Sequence, residues 1–384
     1  SDFRTFSIGF EEEEFDERVH QREMAATLSS RHEMILVGRD DIAAAFPDAI
    51  GHAETPVLRT ALAPLFLLSK VARGTGTKAV LTGEGADEVL AGYDIFREAK
   101  IREYWSKRPD SKLRPLLLNR LYPYLTRSPT GVTGVSHAFW RQGLDRVGQP
   151  DFAHHPRWMT TSTLKRFFST QLQDALSERA TLPVLADLPD RFSQWESLSQ
   201  AQYVEIATLL SPYIISSQGD RMLMAHSVEG RFPFLDADVI AFCNSLPASY
   251  KLPRLDEKHI LKRLARGLVP DSIISRKKQP YRAPDAACFV ARHAPAVVDD
   301  ALSHDSIIRA GVFDPTAVQA LRSKLQRVVN AQEPITLSNT DNMAFVGILS
   351  TQLLDHALIR QSRTKRHRPL DFTTDIDRRS SSLI

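Results

Sequence analysis

The chain is poor in cysteine, and this scarcity predicts a reducing compartment. Its 384 residues include two cysteines, Cys243 and Cys288. They lie in the apolar stretches "IAFCNSL" and "DAACFVA", which is typical of buried free thiols. Because disulfides persist mainly outside reducing compartments, this usage predicts a cytoplasmic protein.

Long apolar runs, signal-peptide features and a charge excess are also absent from the sequence. No run approaches the length of a membrane span and no signal-peptide pattern opens the chain, so we expect no membrane partner. Lys and Arg number 49 against 46 Asp and Glu, and the net charge of +3 gives no basis for a nucleic-acid partner. No His/Cys cluster has zinc spacing, and no Gly-x-Ser-x-Gly elbow is present. The composition, 42% hydrophobic and 25% charged, is that of an ordinary soluble globular protein.

Strand and helix patterns alternate in the first third of the chain. The strand-like runs "RTFSIGF", "EMILVG" and "KAVLTG" are separated by the helical patterns "EEEEFDERVHQREMAATLSS" and "PLFLLSKVARG". This alternation predicts an α/β fold with a parallel, doubly wound sheet. Ligands bind such sheets at the carboxyl ends of strands, where "SIGF" and "LTGEGADE" lie.

The remaining patterns divide the chain into four parts. The α/β part covers residues 1–98, and a variable region of helical and irregular stretches covers 99–199. A mostly helical part follows over 200–361. The last residues, 362–384, are basic and then Ser-rich, and we expect a disordered tail there.

The loop "LTGEGADEVLAGY" (81–93) combines glycines with carboxylates. Gly83 lets the main chain approach a ligand, and exposed amides at a strand end suit phosphate or ribose oxygens. Glu84 stands between two glycines, which favours access over packing. Two interpretations are open for Asp87 and Glu88. Either they hold Mg²⁺, or they merely complement the dipole of the helix "ADEVLAGYDIF". Spacing alone slightly favours the second interpretation.

Lys258 lies in "LDEKHILKRLARGLVP", which predicts a helix capped by Asp256. In the first turn, its charge would oppose the helix dipole by roughly 0.3–1 kcal/mol. It is either a solvated lysine or one that meets a polyanion together with the helix amides. The predicted buried face of this helix consists of Ile260, Leu261, Leu264 and Leu268.

Two further stretches carry charged residues. In "SSQGDRMLMAHSVEGRFPFLD" we expect Asp220 and Arg221 to form a buried ion pair and Asp236 to cap the next helix. We read His226 as a satisfied core histidine rather than a metal ligand. The basic stretch "RKKQPYRAPD" is a solvated turn or closes over an anionic site.

Taken in order, these stretches resemble the synthetase domain of glutamine-hydrolysing asparagine synthetases. The resemblance runs from "FRTFSIGF" through the four charged stretches to "NMAFVGILSTQLL", leaving out the middle region and the tail. It implies an ATP-pyrophosphatase fold of the adenine-nucleotide alpha-hydrolase-like kind, with ATP and Mg²⁺ as cofactors. Aspartate would attack ATP to give an acyl-adenylate and pyrophosphate, and ammonia derived from glutamine would displace AMP to leave asparagine.

The resemblance also implies roles for individual residues. Three residues would bind the adenosine part of ATP: Ile8, Thr82 and Gly83. Glu84 would act on the adenylate as the base that takes a proton from ammonia. Asp87 would help to hold Mg²⁺, and Lys258 would stabilise negative charge as pyrophosphate leaves. Asp220 and Arg221 remain candidates for a substrate contact or a structural role.

Two features of that family do not occur in the sequence. Its Ser-Gly-Gly-x-Asp-Ser loop should precede "FRTFSIGF" by a few dozen residues, and its glutaminase domain should lie further upstream. The first residue is Ser rather than Met. We therefore expect a fragment or one half of a split enzyme, with a glutaminase domain or subunit as partner and no amide synthesis by this chain alone. A homodimer is one expectation for its assembly.

Two alternatives stay open. In the first, the same chemistry amidates a different carboxylate in a biosynthetic pathway, because no residue identifies the acceptor as aspartate. In the second, the chain is a non-catalytic nucleotide-binding subunit. Retention of Glu84, Asp87 and Lys258 together argues against the second, since a scaffold needs none of them.

Overall fold

The computed structural model describes residues 3–121, 134–177, 183–276, 281–290, 294–331 and 337–360. The predicted tail, 362–384, and the centre of the basic stretch, 277–280, lie outside these described residues. The strands are β1 (Arg4–Phe10), β2 (Arg31–Val37), β3 (Ala79–Leu81) and β4 (Glu229–Arg231).

Helices make up most of the described chain. The α-helices are α1 (Arg18–Thr27), α2 (Arg39–Ala53), α3 (Leu62–Gly74), α4 (Ala86–Val89), α5 (Asp94–Ser106), α6 (Gly134–Arg141), α7 (His155–Ser162), α8 (Thr170–Ser177), α9 (Pro183–Ala186), α10 (Ser197–Glu205), α11 (Arg221–Met224), α12 (Ala237–Ser245), α13 (Ala248–Lys251), α14 (His259–Ala265), α15 (Asp271–Ile274), α16 (Ala287–Val290), α17 (Ala296–Ala301), α18 (His304–Ala310), α19 (Pro315–Asn330) and α20 (Asn339–Leu354). Short 3₁₀ helices cover Arg114–Arg120, Leu144–Arg146, Thr163–Phe167, Phe192–Gln194 and Pro233–Leu235, and π-helices cover Ile206–Asp220 and Asp355–Arg360.

Strands β1 and β2 form the strand–helix–strand unit that the sequence predicts. They are parallel, with Arg4 opposite Arg31 and Phe10 opposite Val37, and α1 connects them. The carbonyl of Phe3 accepts from the amide of Arg31, so the odd-numbered residues of β1 face β2. Main-chain groups of successive strand residues point to opposite edges, so those of Ile8 face the edge away from β2.

Strand β3 pairs with β4 instead of joining β1 and β2. The two strands are parallel, with Val80 opposite Gly230. The described strands therefore form two separate two-stranded sheets, whereas the sequence predicts a single doubly wound sheet. The α/β class and the parallel pairing are confirmed. The sequence gives no sign of β4, because it has three residues, Glu-Gly-Arg, with none of the apolar or β-branched side chains that favour strands.

One large apolar core joins the first strands to the last helices. Phe46 of α2 is fully buried, and the centroid of its ring lies 5.0 Å from the ring centroid of Phe289 in α16. The hydroxyl of Ser350 in α20 accepts from the amide of Val57 at 3.0 Å and donates to the carbonyl of the same residue at 2.9 Å. These contacts hold the α/β part and the C-terminal helices as one packed body.

The two cysteines are buried, as the sequence predicts, and burial raises the pKa of the Cys288 thiol. Within the described ranges, no helix combines the length and the apolar character needed to cross a membrane.

Replacing Phe46 tests how much the packing of this core contributes to stability. Replacing Phe46 with Ala should lower the free energy of unfolding by about 3–5 kcal/mol, because the ring is fully buried and a cavity would remain. The control is Phe242→Ala, since Phe242 is 60% exposed and its loss should cost about 0.5 kcal/mol or less. Urea denaturation of both variants measures the difference, and equal losses would contradict the packing described here.

Candidate active site

The loop after β3 turns sharply at Gly85. This residue has φ +93°, a left-handed conformation that glycine adopts without strain. A Cβ at Gly85 would lie 2.3 Å from Cδ2 of Leu235, so a side chain there would have to displace Leu235. The amide of Thr82 donates to the carbonyl of Arg231 at 3.0 Å, which extends the pairing with β4 into the loop. Gly83, by contrast, faces open space.

Glu84 and Thr82 present unsatisfied oxygens in this loop. Oε2 of Glu84 and Oγ1 of Thr82 are buried, and neither has a hydrogen-bond partner among the described residues. A buried polar atom without a partner costs about 1–3 kcal/mol. Such atoms suit a ligand that supplies the missing hydrogen bonds, so the loop is a candidate binding site.

Lys258 reaches this loop from a distant part of the chain. Its Nζ lies 2.9 Å from Oδ1 of Asp87, and the two side chains are 22% and 15% exposed. Lys258 has φ +49°, a left-handed conformation that costs a non-glycine residue about 1–2 kcal/mol. Strain of this kind concentrates at functional sites. The structure thus brings together two residues that the sequence singles out separately.

Helix α14 begins later than the sequence predicts. Its first residue is His259, and Lys258 occupies the preceding N-cap position. Asp256 does not cap the helix, because its carboxylate lies 2.6 Å from Nδ1 of His259 and 2.9 Å from Nζ of Lys262.

The prediction of a buried face on this helix is correct for only half of its residues. Ile260 and Leu261 pack against the cluster around Leu90, whereas Leu264 is 71% exposed and Leu268 is 69% exposed. Helix α14 ends at Ala265, so the helical period that the prediction assumed does not continue to Leu268.

The two carboxylates of α4 point in different directions. Asp87 contacts Lys258, whereas Glu88 is buried, and Tyr93 Oη donates to its Oε1 at 2.9 Å. The side-chain amide of Gln202 donates to the carbonyl of Glu88. Burial raises the pKa of Glu88 to about 7, and the nearby charge of Asp87 also raises it. Asp87 is therefore the carboxylate that faces the candidate site.

A buried set of ion pairs holds the residue next to Lys258. Glu257 lies 3.2 Å from the guanidinium of Arg97 and 3.1 Å from Nζ of Lys262, and Arg97 also pairs with Asp94. These contacts fix the chain just before Lys258. Sequence reasoning missed Arg97 and Glu257, and α5 offers no clear signal, because Arg97 is one of six charged residues in that helix.

Ile8 lies in the other sheet, on β1. It is 7% exposed and precedes Gly9, whose Cβ position lies 2.6 Å from Cδ of Arg18. The described hydrogen bonds do not join Ile8 to the Glu84 loop. The structure therefore brings Thr82, Gly83, Glu84, Asp87 and Lys258 together, and leaves Ile8 on the other strand pair.

Asp220 and Arg221 do not form the expected buried ion pair. Asp220 is exposed, and Arg221 lies 3.2 Å from Glu54 and donates to the carbonyl of Ala53, at the end of α2. His226 is satisfied as predicted, because its Nδ1 lies 2.7 Å from the hydroxyl of Ser69. Burial lowers the pKa of His226.

The described ends of the basic stretch contact the acidic residues after β1. Arg282 lies 3.0 Å from Glu14 and Arg276 pairs with Glu17. Tyr281 lies beside Phe10, with the ring centroids 6.3 Å apart. The described residues of this stretch therefore lie alongside the carboxyl end of β1 and contact it, rather than standing free in solvent.

A separate cavity lies among the helices of the middle region. Its volume is about 220 Å³, and Phe96, Lys100 and Phe152 are among its lining residues. None of the candidate site residues lines it. Within the described part of the chain, no three His, Cys, Asp or Glu side chains form a group that could hold a metal ion by themselves.

Replacing Glu88 tests the burial of its carboxyl group. Below about pH 4.5 the group is protonated in both the folded and the unfolded protein and has no effect on stability. As the pH rises towards 7, the unfolded chain loses this proton first, so the free energy of unfolding falls by about 3 kcal/mol and stays lower above pH 7. Glu88→Gln removes this loss, so its stability relative to the unaltered protein should increase over that interval.

Urea denaturation without divalent cations, at about pH 4.5 and about pH 8, measures the effect. The control is Glu13→Gln, since Glu13 is exposed. Equal pH dependence of the Glu88→Gln variant and the unaltered protein would contradict the environment described for Glu88.

Comparison with known proteins identifies the family to which the sequence is similar. The sequence profile of the asparagine synthase family matches residues 1–346. A protein of Mycobacterium bovis with the provisional name glutamine-hydrolyzing asparagine synthetase is 31% identical over 73% of this chain and 41% of its own length. Asparagine synthetase 1 of Bacillus subtilis, also named glutamine-hydrolyzing, is 28% identical over 73% of this chain and 42% of its own length. Amidase chyE of Penicillium rubens is 24% identical over 90% of this chain and 52% of its own length.

This chain spans about half the length, or less, of these curated relatives. The family profile, however, covers most of the chain and includes β1, the Glu84 loop and Lys258. The chain therefore belongs to the asparagine synthase family.

Proposed function

We propose that this chain is the synthetase part of a carbon–nitrogen ligase that activates a carboxylate with ATP and converts it to an amide. The observation that carries the proposal is the unsatisfied Glu84 carboxylate on the same loop as the Lys258–Asp87 ion pair. Family membership supports the same reaction class. Aspartate is the first acceptor to test, since two of the relatives above are named asparagine synthetases.

Lys258 supplies positive charge where pyrophosphate leaves. A cation about 4 Å from a developing negative charge contributes about 4 kcal/mol of attraction at an effective dielectric constant of 20. This attraction exceeds the cost of the left-handed backbone at Lys258, about 1–2 kcal/mol. Function thus accounts for a conformation that local chain preferences disfavour.

Glu84 takes a proton from ammonia as its nitrogen attacks the acyl carbon of the adenylate. The new carbon–nitrogen bond forms while the bond from the acyl carbon to the AMP oxygen breaks. A positioned general base is worth roughly 10²–10⁴ in rate. The buried oxygen of Glu84 suits this role, because the hydrogens of the attacking ammonia would provide the donors it lacks.

Asp87 is the residue that would hold Mg²⁺ in this site. Magnesium in nucleotide sites usually binds one or two carboxylates and completes its shell with phosphate oxygens and waters, so one protein carboxylate fits the ion. When bound, Mg²⁺ neutralises charge on the phosphates of ATP. Thr82 and Gly83 bind the adenosine part from the same loop, and Ile8 binds it from β1.

The ammonia would come from glutamine through a glutaminase domain or subunit outside this chain. The names of the two bacterial relatives, which include glutamine hydrolysis, support this partner. A parallel strand from outside the described residues that pairs with β1 before Ile8, at the edge away from β2, would extend the sheet towards the doubly wound form and leave Ile8 for the base.

A second acceptor class has support from another relative. The Penicillium protein named an amidase matches 90% of this chain, a larger share than the two asparagine synthetases match. The rival proposal keeps the ATP chemistry and replaces aspartate with another carboxylate. A non-catalytic nucleotide-binding role would leave the orphaned Glu84 oxygen unexplained.

Carboxylate-dependent exchange of labelled pyrophosphate into ATP tests the proposal. The protein is isolated from its native source and assayed with aspartate and with a panel of other carboxylic acids. Exchange that requires aspartate supports the first acceptor, and exchange that requires another acid supports the rival. Nucleotide binding without exchange for any acid would overturn the ligase proposal in favour of a binding subunit.

Replacing Glu84 separates the second half-reaction from the first. Glu84→Gln should lower amide formation by about 10²–10⁴ while pyrophosphate exchange changes little, because the base acts after the adenylate has formed. The control is Glu13→Gln, on an exposed glutamate of the acidic run after β1. Near-normal amide synthesis by the Glu84→Gln variant would remove Glu84 from the mechanism.

Replacing Lys258 tests the first half-reaction. Lys258→Met keeps the length of the side chain and removes its charge, so pyrophosphate exchange should fall by about 10²-fold or more. Lys107→Met provides the control, since Lys107 is an exposed lysine at the end of α5. Unchanged exchange in the Lys258→Met variant, with its fold intact, would place Lys258 outside the reaction.

A further inference from the structure

Among the described residues β1 pairs with β2 alone, and its other edge presents a donor and an acceptor side by side at Ile8. Its odd-numbered residues face β2, as the contacts of Phe3 and Glu11 with that strand demonstrate. The N–H and C=O groups of Ile8 therefore point towards the opposite edge. A donor next to an acceptor matches the edge of a purine base that has a ring-nitrogen acceptor beside an amino group.

Helix α1 places a side-chain amide at this edge. Arg18 packs over Gly9, and its guanidinium binds the carboxylate of Asp16 at 2.8 Å. Gln21 lies three residues further along α1, on the same face of the helix. Its Nε2 donates to the carbonyl oxygen of Ile8 at 2.8 Å.

The hydrogen bond to Ile8 fixes the orientation of the Gln21 amide. A carbonyl oxygen can only accept, so the amide nitrogen must face Ile8 and the amide oxygen must point away from it. That oxygen, Oε1, is buried and has no donor among the described residues. Gln21 thus holds a second, unsatisfied acceptor next to the carbonyl of Ile8.

We propose that Gln21 is a base-specificity residue, whose Oε1 accepts a hydrogen bond from the 6-amino group of the nucleotide base. The inference rests on the proposed function, because it takes ATP as the ligand at Ile8. The amino group has two hydrogens, so it can donate to both the carbonyl of Ile8 and Oε1 of Gln21. A 6-oxo purine instead places an oxygen against two acceptors, and a purine without a 6-substituent leaves both without a donor.

Two substitutions distinguish base recognition from a structural role of Gln21. Gln21→Met keeps a long, helix-compatible side chain and removes both the donor and the acceptor. Gln21→Lys keeps a donor for the carbonyl of Ile8 and removes only the acceptor. Arg22→Gln is the control, on the exposed neighbouring residue of the same helix.

The experiment compares ATP, inosine triphosphate and purine riboside triphosphate as substrates for carboxylate-dependent pyrophosphate exchange. It uses the protein from its native source and the same protein carrying each substitution. The unaltered protein and Arg22→Gln should prefer ATP over the other two nucleotides. Both Gln21 variants should reduce that preference by about tenfold in kcat/KM, and Gln21→Lys should favour inosine triphosphate most.

Each other outcome overturns the inference in a recognisable way. If Gln21 only anchors α1 to β1, Gln21→Met will lower exchange by the same factor for all three nucleotides, and Gln21→Lys will restore it. Exchange with unchanged base preference in both variants overturns the inference alone. A lack of exchange and of ATP binding in the unaltered protein overturns the proposed function and this inference together.

Discussion

The candidate site depends on the ion pair between Lys258 and Asp87. It joins two residues 171 positions apart in sequence, with a separation of 2.9 Å between Nζ and Oδ1. Both side chains are largely buried, so removing Asp87 would deprive the Lys258 ammonium of the carboxylate that it contacts. The pair joins the residue before α14 to the helix that follows the Glu84 loop, and the backbone of Lys258 is left-handed there.

A second layer of polar contacts supports this pair from inside the protein. Glu257, next to Lys258, is held by Arg97 and Lys262, and Glu88, next to Asp87, is held by Tyr93. In both cases one residue faces the site while its chain neighbour is fixed in the interior. The site is therefore preorganised, and the unpartnered oxygens of its loop, on Glu84 and Thr82, are the atoms that would meet a ligand there.

The features that sequence reasoning predicted correctly have strong local causes. Strands β1 and β2 follow from short runs rich in strand-forming and apolar residues, helix α1 from its helical pattern, and the sharp turn at Gly85 from its glycine. The Asp236 cap was also predicted, and its carboxylate accepts from the amides of Asp238 and Val239.

The features that were missed depend on partners distant in sequence. Strand β4 exists because Glu229–Arg231 pairs with β3, although the three residues have no strand preference of their own. Helix α14 starts at His259, after a left-handed Lys258 whose side chain contacts Asp87, a partner that the local sequence does not reveal. The candidate roles of Glu84, Asp87 and Lys258 came from the family resemblance, since spacing alone slightly favoured a helix-dipole role for Asp87 and also allowed a solvated Lys258.

The central claim is that the protein activates a carboxylate as an acyl-adenylate. Transfer of oxygen from that carboxylate to AMP tests it most directly. The native protein is given ATP, ammonia and the carboxylic acid that supports pyrophosphate exchange, with both carboxylate oxygens labelled with ¹⁸O. Because the adenylate forms by attack of that carboxylate on the α-phosphorus and AMP departs with the bridging oxygen, mass spectrometry should find one ¹⁸O in the AMP for each amide formed. Unlabelled AMP, or formation of ADP and phosphate instead, would contradict the account.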